Sequence, residues 1–121
     1  DLINALQIDP DFLDEAAHEH DETVGSVALV ESGELDGDKL EAWIGELLRD
    51  HGPDIFRMKG ILNMAGEDNR FVFQGIHMLF DGRQDRPWKP DEIRKNELVF
   101  IGRNLENLKL AERFQDCLVS Q

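Results

Sequence analysis

Cysteine is nearly absent: Cys117 stands alone in 121 residues, which excludes an internal disulfide and a thiolate metal cluster. That economy suits a reducing compartment, so a cytoplasmic location is expected. Cations are scarce too. Thirteen Lys and Arg stand against 26 Asp and Glu, for a formal net charge of −13. Such a chain repels phosphate backbones and anionic lipid, so neither nucleic acid nor a membrane surface is an expected partner. No apolar run approaches the roughly 18 to 20 residues that span a bilayer, and the opening DLINALQIDPDFLDE lacks a basic or apolar leader. Also missing are a GxxxxGK[ST] phosphate loop and a glycine-rich strand-to-helix turn, so the chain is not expected to bind GTP by itself. Cys117 and Ser26, Ser32 and Ser120 have no recognisable base in their local sequence, and catalysis has no visible carrier. The start at Asp1 rather than methionine suggests a piece of something longer.

What is present suffices for one core. Hydrophobic residues make up 40% of the chain, enough for a single domain of this length. Residues 1–22 read as an acidic, histidine-bearing arm, and residues 23–121 as the folded unit. Thr23 to Glu31 reads as a strand. Leu40, Trp43, Ile44, Leu47 and Leu48 then recur with a 3.6-residue period, a helix that Asp36 caps and that a left-handed Gly52 followed by Pro53 should stop. Each large side chain buried from that stripe contributes about 1.5 to 3 kcal/mol, so the helix should lie on a sheet. Ile55 to Met64 and Arg70 to Phe80 flank the polar AGEDN as an antiparallel hairpin. Asp81 to Asn96 reads as a long polar loop, and LVFI, Leu98 to Ile101, as a strand buried on both faces. Asn104 should cap a last helix with Leu105, Leu108, Ala111, Phe114 and Leu118 on one side. The expected fold is α+β, a two-layer sandwich with two helices on one face of a small mixed or antiparallel sheet, in the order β-α-β-β-β-α.

Two groups of residues are candidates for function. His18 and His20, set among carboxylates with Asp21 and Glu22, form a nitrogen and oxygen donor set suited to zinc, cobalt or nickel. Binding there is expected to be weak, because the spacing is not that of a closed site. The second group depends on the hairpin register. If Met64 faces Arg70, Phe56, Met58, Leu62 and Ile76 point to the helices, while Ile61, Phe71 and Phe73 share the open face with Arg57, Lys59 and His77. A half-aromatic, half-cationic face suits a docking surface for another domain or protomer. Trp88, between Pro87 and Pro90, reads first as a pin holding the loop and second as a partner contact.

The stretch RMKGILNMAGEDNRFVFQGIHMLFDGRQDRPW, Arg57 to Trp88, together with FIGRNL, Phe100 to Leu105, closely resembles the C-terminal domain of CobW-type GTPases. The likeness extends back through LDGDKLEAWIGELL and covers most of Thr23 to Leu118. It implies a parent protein with an N-terminal P-loop GTPase domain that hydrolyses GTP, and a part in zinc or cobalt handling, cobalamin biosynthesis or metalloenzyme activation. It also implies the same parent's GTPase domain and a client metalloprotein as partners. The histidine tract is shorter than in many relatives, which argues against a high-capacity metal store. Two functions follow: an accessory domain acting by docking, or a direct metal-binding or buffering domain working through His18 and His20.

Overall fold

The computed structural model describes residues 24–76 and 79–119. Its elements are β1 (Val24–Ser32), α1 (Gly37–His51), β2 (Ile55–Leu62), β3 (Asn69–Ile76), β4 (Leu79–Pro87), β5 (Lys95–Arg103) and α2 (Leu110–Asp116). The strands form one sheet in the order β1-β5-β2-β3-β4, and every neighbouring pair is antiparallel. The α+β fold is the one expected, with one strand more.

Helix α1 forms as its sequence pattern demands. The Asp36 carboxylate accepts hydrogen bonds from the backbone N–H groups of Asp38 and Lys39 at 2.9 and 3.2 Å, satisfying donors that the first turn leaves open. The buried stripe is Leu40, Trp43, Ile44, Leu47 and Leu48. Trp43 meets Phe100 of β5 edge-on at 6.0 Å and Phe114 of α2 at 6.1 Å. One indole thus joins both helices to β5. Arg113 and Glu46 add a salt bridge at 3.0 Å between the helices. The stop differs from expectation: Gly52 is right-handed (φ −49°, ψ −44°) and leads into a 3-10 turn, Gly52–Asp54, where Pro53 makes continuation as an α-helix unfavourable.

Three local readings change. Leu79–Pro87, most of which has the composition of a loop, is the edge strand β4, paired with β3. An edge strand needs only one partner and tolerates charge and a terminal proline, so it lacks the apolar alternation of inner strands. The last helix is divided. Leu105–Leu108 is a 3-10 turn, Asn104 and Lys109 are both left-handed (φ 55° and 53°), Asn104 makes no side-chain cap, and α2 begins at Leu110. The buried residues are therefore Leu105, Leu110, Phe114 and Cys117, and Ala111 is exposed.

The third change has the largest consequence. In the β2–β3 hairpin Leu62 pairs with Phe71, Gly60 with Phe73 and Met58 with Gly75, one residue away from the register that sets Met64 against Arg70. Met64 instead bridges to Leu35. Because side chains alternate with a period of two, a one-residue slip exchanges the faces of one strand relative to the other. Phe73 is accordingly 5% exposed within the helix-side core, Phe71 packs against it, and Ile76 is 49% exposed on the opposite face.

A buried polar node fixes the sheet's end. Asn96 accepts from the Asn63 backbone N–H at 2.7 Å, and both side-chain amides donate to the Gly33 carbonyl at 3.0 Å. Both residues are buried, and these bonds offset most of their desolvation.

Candidate functional site

Register sorts the sheet into two chemically distinct faces. On the helix side lie Leu29, Met58, Leu62, Leu98, Phe100 and Phe73. On the other side the pairings place Ile61 beside Val72 and Glu97, Lys59 beside Gln74 and Val99, and Arg57 beside Ile76 and Ile101. Arg83 lies beyond Val72 on β4, Arg103 lies opposite Val24, and Lys95 opposite Ser32. Arg57, Lys59, Arg83, Lys95 and Arg103 thus share one face of the folded unit, in a chain whose formal net charge is −13. Acids on that face are fewer. Glu97 is buried and paired with Lys95 at 3.1 Å, and Asp81 sits opposite Gln74. The Arg103 guanidinium also stacks 5.4 Å over the Phe56 ring, a geometry that holds a cation against an apolar surface.

Of the residues expected on a docking face, Arg57, Lys59 and Ile61 occur together on this one. Phe71 and Phe73 do not, because pairing Leu62 with Phe71 and Gly60 with Phe73 turns them to the helix-side core and its margin. His77 lies outside the described residues. Trp88 is buried at the end of β4, its backbone N–H donating to the Asp68 carbonyl at 3.0 Å, and so pins the loop. Sequence reasoning missed Arg83, whose place on the face depends on β4 being a strand.

Beside Trp88 the loop is clamped by ions. Arg86 donates two parallel hydrogen bonds to Glu92, both at 2.8 Å, and the Lys89 backbone N–H donates to the same carboxylate at 2.9 Å. The Arg86 bonds, followed by that of Lys89, pull the Glu92 carboxyl down from an ordinary 4.5 to about 2. Arg70 does the same to Asp85 in direction, aided by the Arg86 backbone N–H. Because the folded value of Glu92 lies below the unfolded one, its contribution is complete above about pH 4.5 and fades as pH falls toward 2. The Lys89 amide resonance should therefore titrate at acid pH with a midpoint well below 4.5, and Glu92→Gln should remove that titration.

Among the described residues, no three His, Cys, Asp or Glu side chains stand where they could hold one metal ion. Cys117 is a poor ligand as placed. It is buried, its thiol donates to the Arg113 carbonyl at 3.3 Å, and burial pushes its pKa up to about 11, which keeps it out of the thiolate form that metals bind. His18, His20, Asp21 and Glu22 lie outside the described residues. No helix among the described residues is long and apolar enough to cross a membrane.

Comparison with known proteins agrees with this architecture. The zinc chaperone CobW of Pseudomonas aeruginosa is 39% identical over 79 residues, 65% of this chain and 20% of that protein. The zinc chaperone YjiA of Escherichia coli is 31% identical over 91 residues, 75% of this chain and 28% of that protein. A crystal structure of the Zn(II)-bound YjiA GTPase from E. coli superposes with a TM-score of 0.74 at 29% identity, covering 80% of this chain and 30% of that one. The chain therefore spans less than a third of the length of these relatives. The family described as the cobalamin synthesis protein cobW C-terminal domain matches residues 24–118, almost the whole described structure, and the chain belongs to that family.

Proposed function

We propose that this domain is the accessory C-terminal unit of a CobW-type GTPase that handles zinc, and that its cation-bearing sheet face docks on the GTPase half of the same parent. The observation that carries the reading is the concentration of Lys59, Arg83 and Lys95 beside half-buried Ile61 and Val72 on the face away from the helices. Gathering positive charge on one face of an otherwise acidic chain selects an acidic counter-surface and speeds its encounter. The relatives' names favour zinc over cobalt as the cargo. Hydrolysis of GTP belongs to the parent protein, and the domain's part is to set how the GTPase half meets its client metalloprotein.

The test is affinity for the separately expressed GTPase half. Lys59→Glu with Arg83→Glu should weaken association at least tenfold at low salt while leaving the thermal melt within a few degrees, since both side chains sit on the sheet's outer surface. The wild-type affinity should fall as salt rises from 0.05 to 0.5 M, as it does for surfaces steered by charge. Equal affinity for wild type and variant would remove the docking role from this face.

A second reading is favoured by the Zn(II)-bound state of the solved relative. In it His18 and His20 recruit zinc weakly, and binding is lost as pH falls below about 6.5, where imidazoles become protonated. Replacing both by alanine should abolish the calorimetric zinc signal; an unchanged isotherm would discard the arm as a ligand.

A further inference from the structure

The helix side of the sheet is not fully roofed. Between the first turns of α1 and the outer strands β3 and β4 an open groove of about 320 Å³ remains. Met64, Phe71, Phe73 and Phe80 give it an apolar lining, and Asp38 and Glu41 of α1, both exposed, line it as well. Phe80 is 43% exposed, with its ring 5.7 Å from that of Phe73. The groove depends on a glycine: a Cβ on Gly82 would lie 2.4 Å from the Phe71 ring, so only glycine lets that ring lie down on β4. Neither Asp38 nor Glu41 has an ion-pair partner among the described residues.

These features select an occupant. The volume is at the lower end of the ~300 to 1,000 Å³ typical of ligand pockets, enough for one or two large side chains of a peptide. An aromatic floor rewards burial of a bulky apolar group, and two exposed carboxylates beside it reward a cation and repel an anion. We propose that this groove captures a segment of a partner protein that presents a large apolar side chain next to lysine or arginine. It is a second docking site, on the opposite side of the sheet from the GTPase-facing surface, with the opposite charge preference.

The probe is the synthetic peptide acetyl-KLFK-amide, with acetyl-ELFE-amide as its charge-reversed control, titrated into the full chain and followed by NMR. Saturable shifts of the Met64 methyl and Phe80 ring signals are expected, with KLFK binding at least tenfold tighter than ELFE. Phe80→Ala should weaken KLFK at least fivefold with an unchanged melt, because the ring is half exposed. Asp38→Asn with Glu41→Gln should erase the preference for KLFK. The proposal is overturned if Phe80→Ala binds KLFK as well as wild type, which would mean attraction to net charge alone. It is equally overturned if the shifts fall on Lys59 and Ile61 instead, or if dilution alone moves the Phe80 signal, which would make a second copy of the chain the occupant.

Discussion

Replacing Phe73 by aspartate should prevent the isolated chain from folding. Phe73 is 5% exposed, faces Gly60 across the β2–β3 ladder and belongs to the cluster that includes Ile44, Met58 and Phe100. Deleting a buried phenylalanine costs about 3 to 5 kcal/mol, and an unpaired carboxylate in its place adds the penalty of a buried charge without a partner. A domain's whole stability is only about 5 to 15 kcal/mol. Circular dichroism at pH 7 should show no cooperative melt for Phe73→Asp, whereas Phe73→Leu should melt cooperatively at a lower Tm. A wild-type melt for the aspartate variant would contradict the hairpin register and return Phe73 to a surface.

Gly102→Ala should be the second severe substitution. A Cβ there would lie 2.2 Å from the Asp54 carbonyl oxygen and 3.0 Å from Leu105 Cδ2. The obstacle is backbone, in the turn that leads into β2 beside the irregular pairing of Ile55 and Arg57, so it cannot rotate aside as a side chain could. Forced overpacking costs about 1 to 3 kcal/mol or more, and the upper end applies here. Gly45→Ala is the control. A Cβ at Gly45 meets nothing within 4 Å, within helix α1, so alanine should stabilise by about 0.5 to 1 kcal/mol through helix propensity. Urea denaturation should move the two midpoints in opposite directions.

The parts legible in the sequence are those set by local chemistry. The α1 stripe and the Asp36 cap follow from residues within a few turns of one another, and both stand as expected. Gly60, Gly82 and Gly102 stand in motifs that resemble those of the family, and a Cβ on any of them would collide with a neighbouring strand, ring or turn. Hairpin register was not legible, because it depends on where the turn closes. Met64 reaches Leu35 rather than Arg70, and that single contact moves Phe71 and Phe73 from the open face to the helix side. β4 was hidden for a different reason: Asp81, Gly82, Arg83, Gln84 and Asp85 have no apolar period, and only pairing with β3 makes them a strand. Arg83 and the groove beside Phe80 were hidden with it. The Asn63–Asn96 node joins residues 33 apart in the chain, and neither side's local sequence announces the other.

The proposed docking sets the sheet face away from the helices against the GTPase half. Hydrogen–deuterium exchange of the chain, alone and mixed with the separately expressed GTPase half of its parent, tests it most directly. Burial of that face predicts slowed exchange along β2 and β3 around Lys59, Ile61 and Val72, extending to Arg83, with α1 unchanged. Protection confined to α1 and the Phe80 end of β4, with β2 unaffected, would contradict it.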